Sequence, residues 1–140
     1  MLEETTVELV VNPRDANLTR GQLERTLSQR IQALYRERFG HRLQNVSVRI
    51  FNDKVSIVIE DSVTQPEQFL VEQGDRDLAR QVRSELKEGL EPDLKAIVEE
   101  VLQVPVIDLL SDAKLESGRT GTIAVLGERP TFRPPARSSS

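Results

Sequence analysis

Residues 46–60, which read VSVRIFNDKVSIVIE, decide the fold of this chain. Apolar β-branched residues alternate with polar ones on both sides of Asn52-Asp53, a two-residue loop that tolerates positive φ and closes a tight hairpin. All the alternating Val and Ile residues then lie on one face, and a slip of one residue would move them to the other. The sequence therefore predicts an antiparallel hairpin with one buried face. Its register has four pairs: Phe51–Lys54, Ile50–Val55, Val48–Ile57 and Val46–Ile59.

The composition limits what the chain can do. Its 140 residues are enough for one domain with its own core. The chain has no cysteine and one histidine, which argues against disulfides, thiol nucleophiles and an imidazole-rich metal site. The net charge of −4 argues against nucleic-acid binding, and no apolar run approaches the roughly 18–20 residues of a membrane helix. We therefore expect a cytoplasmic, non-enzymatic protein with no cofactor and no membrane span.

Three segments are predicted along the chain. Residues 1–17 are acidic and form either a partly ordered tail or an added edge strand. Residues 18–127 form a single α+β domain. Residues 128–140 are rich in proline, arginine and serine, which predicts a disordered tail.

Helical patterns lie on both sides of the hairpin. Thr19 and Gln22 form a capping box, and apolar residues at helical spacing follow it. A second, short helix begins at Thr64-Gln65-Pro66-Glu67, where threonine is the cap and proline occupies the first turn. A long pattern over residues 75–102 is either one helix kinked at Gly89–Pro92 or two helices broken there.

Residues 104–110 and 120–126 have the pattern of a second hairpin. The apolar residues of the strand over 104–110 fall on both faces: Val104, Val106 and Leu110 on one, Ile107 and Leu109 on the other. A strand that is apolar on both faces lies centrally in a sheet or is covered on its second face.

The order of elements predicts an αββααββ roll, in which a four-stranded, mainly antiparallel sheet has helices packed on one face.

One charged pattern is a candidate binding surface. A stripe at helical spacing on the long helix would lie opposite a core stripe of Leu78, Val82 and Leu86. Arginine makes planar, bidentate contacts with carboxylate or phosphate. The stripe is therefore either an ordinary solvated helix face or a docking surface for an acidic partner or ligand. Its four basic residues are Arg76, Arg80, Arg83 and Lys87.

A second candidate surface lies on the polar face of the first hairpin. Phe51 and Val58 fall on that face, with Arg49 beside them. Together with the second apolar face of the strand over 104–110, they make an apolar patch. The patch is either covered by the N-terminal segment or binds a partner, which could be an unidentified protein or a second copy of the chain.

Four motifs carry a family resemblance: TRGQLE at 19–24, TQPE at 64–67, RQVR at 80–83, and Ser111-Asp112 with Ser117-Gly118. On these motifs, residues from about 18 to 127 resemble the MpsC-like family, a small domain of unknown function. Asp112 becomes a candidate site residue; family relatives have a histidine and a threonine before this aspartate, where the chain has Leu110 and Ser111.

The resemblance implies two biological settings. Some family members are described as part of a sodium-translocating, membrane-potential-generating system. The acidic start and the Pro/Arg tail resemble the cyanobacterial branch, which is connected with regulation of biofilm formation.

Two functions from different classes are compatible with these features. The first is a non-catalytic cytoplasmic regulatory or adaptor domain that acts by protein–protein contact. The alternative is a small-ligand-binding protein, or a peripheral subunit of a membrane-potential-generating system. The ligand-binding alternative requires a deep cleft that brings arginine, Asp112 and His41 together.

Overall fold

The computed structural model describes residues 18–134, and the predictions for residues 1–17 and 135–140 lie outside this range. The observed order of elements is αββααββ, so the predicted α+β fold class is confirmed. The elements are α1 Arg20–Phe39, β1 Asn45–Phe51, β2 Lys54–Glu60, α2 Gln65–Glu72, α3 Arg76–Leu102, β3 Val106–Lys114 and β4 Arg119–Leu126.

The four strands form one antiparallel sheet in the order β1-β2-β4-β3. Asn52 in the first hairpin loop has a φ of 54°, as a tight two-residue connection requires. The register of this hairpin is confirmed pair by pair: Phe51–Lys54, Ile50–Val55, Val48–Ile57 and Val46–Ile59.

The core lies between one face of the sheet and the helices α1 and α3. Alternate residues of β1 and β2 are buried on this face, as the hairpin pattern predicts. They pack with buried apolar residues of both helices, among them Leu23, Leu27, Ile31, Leu94, Val98 and Val101. No helix of the described residues covers the other face of the sheet, which we call the open face.

α3 is one continuous helix of 27 residues that includes Pro92. Of the two alternatives for this segment, the unbroken helix is correct. Asp75 caps its start, because the Asp75 side chain accepts a hydrogen bond from the backbone N–H of Leu78. Buried residues continue on both sides of Pro92, at Leu90 and Leu94, so burial favours continuity over the break that proline would otherwise favour.

β3 contains a bulge that simple alternation does not predict. The register shifts between Val106 and Asp108, so Ile107 is an extra residue in the strand. After the bulge, Leu109 packs against the core and Leu110 is exposed. The predicted grouping of Leu110 with Val106 on one face is therefore wrong, because the bulge reverses the phase of the strand.

Residues 130–133 pack against the domain. The sequence predicts instead that they belong to a disordered tail over residues 128–140. The backbone N–H of Arg133 donates to the carbonyl oxygen of Leu18 at 2.8 Å. Pro130 is buried, and Phe132 packs against the core with the Arg20 guanidinium 5.9 Å from its ring centroid. Two apolar contacts thus attach a segment whose proline and arginine content predicts disorder.

Candidate functional site

The predicted basic stripe is not a single exposed surface, because Arg83 is buried. Its Nε donates to Oε2 of Glu67 at 2.7 Å, and its Nη2 donates to Oε1 at 2.8 Å and to the carbonyl oxygen of Ser62 at 2.7 Å. Glu67 also accepts from the backbone N–H of Thr64 at 2.9 Å and so caps α2. Such a buried pair is tolerated because the two charges neutralise each other and both groups make further hydrogen bonds. The prediction that Arg83 is exposed is wrong.

The core-facing side of the first half of α3 is rotated from the predicted one. Ala79 and Arg83, four residues apart, face inward, whereas Leu78 is 40% exposed. Val82 and Leu86, also predicted for the core, are only partly buried. A search for apolar periodicity misses this face because one of its two inward residues is charged.

Two other members of the stripe, Arg80 and Lys87, line a groove between α3 and β3. The groove has a volume of about 420 Å³. Arg76 lies beside it, with Nη1 3.3 Å from Oε2 of Glu116. The structure therefore brings Arg76, Arg80, Lys87 and Asp112 together, as the candidate residues of one surface. The polar residues that line the groove are Arg80, Arg83, Ser84, Lys87, Asp112, Lys114 and Glu116.

Three cations from two elements give this basic groove its charge. Arg80 and Lys87 come from α3, and Lys114 comes from the end of β3. A backbone hydrogen bond holds the pKa of Glu116 below its ordinary value, and the positive charges of Arg76, Arg80 and Lys114 lower it further. Sequence reasoning misses Lys114 because only the fold places β3 beside α3.

The remaining candidates lie on the open face, which adjoins the basic groove at β3, where Asp112 lies at the border of both surfaces. Phe51 is 43% exposed and Val58 is 36% exposed. Arg49 is on the same face, where its Nη1 donates to the carbonyl oxygen of Val48 at 2.8 Å. Leu110 joins them because of the bulge, and it is 55% exposed. The apolar patch predicted around Phe51 and Val58 is thus present, with Leu110 in place of Leu109.

His41 and Asp112 lie in different grooves. His41 lines a groove of about 540 Å³ with Val82 and Leu86, and its Nε2 is 2.6 Å from the carbonyl oxygen of Asp61. Asp112 lines the basic groove. The cleft required by the ligand-binding alternative, with His41 and Asp112 together, is not formed within residues 18–134.

Two further observations concern the described part of the chain. Among residues 18–134, no group of three or more histidine, aspartate or glutamate side chains could hold a metal ion. No helix in that range is both long and apolar enough to cross a membrane.

A protein-family model matches most of the chain. Residues 19–128 fit the family model described as "Na+-translocating membrane potential-generating system (MpsC)". The chain belongs to the MpsC family. No curated protein and no solved structure matches it. The match extends from the N-cap of α1 to just beyond β4, so the MpsC region contains both the basic groove and the open face.

The buried ion pair explains two of the motifs that carry the resemblance to the MpsC family. Glu67 is the last residue of the TQPE motif and Arg83 is the last residue of RQVR. Their side chains meet in the interior and join α2 to α3. Glu67 and Arg83 therefore stabilise the fold at this point, whereas Arg80, the first residue of RQVR, lines the groove with Lys87 and Lys114.

Proposed function

We propose that this MpsC-family chain is a non-catalytic regulatory or adaptor domain that acts in the cytoplasm by binding another protein. We further propose that the basic groove binds an acidic segment of that partner. One observation carries the proposal: three cations, the exposed Arg80 and Lys114 and the half-buried Lys87, converge on one concave surface from two different elements.

The spacing of these cations favours an extended ligand over a single small anion. Arg80 and Lys87 are seven residues apart on a helix, so their backbone positions are separated by about 10 Å. A lone carboxylate or phosphate is much smaller than that distance. In an extended peptide, alternate side chains are about 7 Å apart, so two or three acidic residues could engage both cations and Lys114.

Tertiary contacts hold the elements that carry the cations, which supports a preformed binding surface. The pair between Arg83 and Glu67 fixes the first half of α3 against α2, and Lys87 Nζ donates to the carbonyl oxygen of Ser111 at 3.3 Å. Side chains on helices and strands are positioned more accurately than those on loops. Arg83 itself is not available to bind a partner, because its guanidinium donates to both carboxylate oxygens of Glu67 in the interior.

The test compares three immobilised forms of the full chain in a native lysate, with mass spectrometry of the captured proteins. The groove variant is Arg80→Glu with Lys114→Glu, and Arg83 is left unchanged so that the fold is kept. The matched control is Arg25→Glu with Lys95→Glu, which changes the net charge equally at exposed positions outside the groove. We expect at least one protein to bind the wild type and the control but not the groove variant.

Salt dependence and side-chain geometry sharpen this test. Binding of the captured protein should weaken as salt rises, since exposed charges are screened over about 8 Å at physiological ionic strength. Arg80→Lys should also weaken it if the partner's carboxylate makes a bidentate contact, because lysine keeps the charge but loses the planar fork. Identical captured proteins from the groove variant and the wild type would refute a role for this groove.

The family description favours a second candidate: a peripheral subunit of a Na+-translocating, membrane-potential-generating system. The basic groove would then bind an acidic loop of a membrane-embedded subunit. Capture of such a subunit from detergent-solubilised membranes, dependent on Arg80 and Lys114, would favour this candidate. Capture of a protein that controls biofilm formation would favour instead the regulatory role that the cyanobacterial resemblance implies.

A further inference from the structure

The open face carries exposed apolar side chains, Phe51, Val58 and Leu110, together with charges on its two edge strands. One edge is β1, which contributes Arg49, and the other is β3, which contributes Asp108 and Asp112 and, at its end, Lys114. Lys114 lies in the row of the uncharged Asn45, so the charges nearest the row of Arg49 on β3 are acidic. Leu110 lies between these two aspartates on the same strand. The pairing of the strands places Arg49 and Leu110 in one row across the sheet: Arg49, Ser56, Ile123 and Leu110.

We propose that a second copy of the chain packs on this open face, about a two-fold axis that runs parallel to the strands between β2 and β4. Two packed sheets keep their strand directions within about 30° of each other. Rotation about this axis places each edge strand of one copy over the opposite edge strand of the other copy. Each row of paired residues in one copy then lies over the same row in the other. β1 of one copy therefore lies over β3 of the other.

The charges select this axis over the other two-fold arrangement. With the axis along the strands, Arg49 of one copy lies over Leu110 of the second copy. Asp108 and Asp112 are then about 7 Å away along the strand on either side, since residues two apart in a strand are separated by that distance. With the axis across the strands, β1 would lie over β1 and β3 over β3, so like charges would meet. Such a self-complementary contact is the usual basis of two-fold dimers.

The shape of the centre fits the same axis. Val58 on β2 and Gly121 on β4 are directly paired in the sheet. The proposed axis passes between them and places Val58 of one copy over Gly121 of the other. Gly121 leaves a notch, since a Cβ atom added there would have no heavy atom within 4 Å. The exposed Val58 side chain of each copy thus enters the notch of the other.

Sedimentation velocity of the full chain over a range of concentrations tests the charged contacts. The wild type should form a dimer. Arg49→Glu and Asp108→Arg should each raise the dimer dissociation constant by roughly tenfold or more, because each brings like charges together. The double variant Arg49→Glu/Asp108→Arg should recover most of the lost affinity. A wild type that stays monomeric at every concentration would overturn the proposal. Coverage of the open face by residues 1–17 would give this result, and it would overturn the proposal equally.

The variant Gly121→Val tests the shape of the interface independently of charge. The chain should stay folded, because a Cβ atom added at Gly121 lies in open space and β-branched residues suit strands. The dimer should nevertheless weaken by roughly tenfold or more, since the notch for Val58 is filled. Gly89→Ala, at another glycine with open space around it on α3, is the control and should leave the dimer unchanged. A dimer that is unaffected by Arg49→Glu and by Gly121→Val uses another surface, such as a sheet edge, and the proposal would be wrong.

Discussion

Arg83 holds the carboxylate of Glu67 by two parallel hydrogen bonds, of 2.7 and 2.8 Å, at a place where the Glu67 side chain has no exposed surface. This contact joins the first half of α3 to the first turn of α2. Removal of one member of such a buried pair leaves an uncompensated charge, which is more costly than the loss of an exposed ion pair. The contact therefore stabilises the packing of α2 on α3, and α3 carries Arg80 and Lys87 of the basic groove.

Arg83→Met should lower the free energy of unfolding by about 3–5 kcal/mol, because it leaves the buried Glu67 carboxylate without a cation. Chemical denaturation measures the change. Arg80→Met is the matched control: Arg80 is three residues earlier on the same helix with its side chain 61% exposed, so the change should stay within about 0.5 kcal/mol. Equal effects of the two substitutions would show that the pair does not stabilise the fold.

Glu67→Gln should partly rescue Arg83→Met. Glutamine removes the buried charge and keeps an oxygen that can accept the hydrogen bond from the Thr64 backbone N–H, which Glu67 accepts at 2.9 Å. The double variant should therefore be more stable than Arg83→Met alone, which is the sign expected of two coupled sites. Additive destabilisation would contradict this account of the pair.

Ile57→Ala should cost about 2–4 kcal/mol of stability, from lost burial and from the cavity that remains. Ile57 has no exposed surface and pairs with Val48 in the centre of the first hairpin. Ser56→Ala, at the neighbouring position on the open face, should change the unfolding free energy by less than about 0.5 kcal/mol. Similar losses at the two positions would mean that the assigned faces are wrong.

Those features of the fold that depend on neighbouring residues could be predicted from the sequence. The first hairpin has its alternation and its loop within 15 residues, and its register is confirmed. The capping box of Thr19 and Gln22 is likewise local, and it is present at the start of α1. Local signals of this kind need no knowledge of which elements pack together.

Features that depend on distant contacts could not be predicted. The residue type alone does not distinguish a buried arginine from an exposed one. The partner of Arg83, Glu67, is 16 residues away on another helix. Lys114 joins Arg80 and Lys87 only because the sheet order makes β3 the edge strand beside α3. The bulge at Ile107 changes the phase of β3 without any proline or glycine inside the strand to mark it.

Phe132→Ala should destabilise the domain by about 1–3 kcal/mol, which is less than a fully buried phenylalanine would cost. Phe132 is partly buried and packs against the core, and Arg133 next to it holds the backbone of Leu18. Arg133→Ala keeps that backbone hydrogen bond and should have little effect. Thermal unfolding of both variants measures the difference. A Phe132→Ala protein with wild-type stability would restore the prediction of a tail without structural role.

Tyr35 provides the last prediction, because it is the single tyrosine of a chain that has no tryptophan. The side chain is 2% exposed. Burial raises the pKa of its hydroxyl above the ordinary value of 10.0, and the positive charge of Arg83 offsets part of that rise. The phenol is therefore neutral in the folded chain at a pH at which the unfolded chain already ionises. Stability linked to Tyr35 is complete below about pH 10, the unfolded value, and is lost as the pH rises through the higher folded value.

Absorbance of the tyrosinate ion measures this directly, since lysine and arginine do not absorb in the same range. The native protein should titrate above pH 10, and the same protein in denaturant should titrate near about pH 10. Arg83→Lys keeps a cation beside Tyr35 and should preserve the native midpoint more closely than Arg83→Met, which should raise it further because the positive charge is gone. Identical midpoints for the native and denatured wild type would show that Tyr35 is exposed to water, which would contradict its burial between α1 and α3.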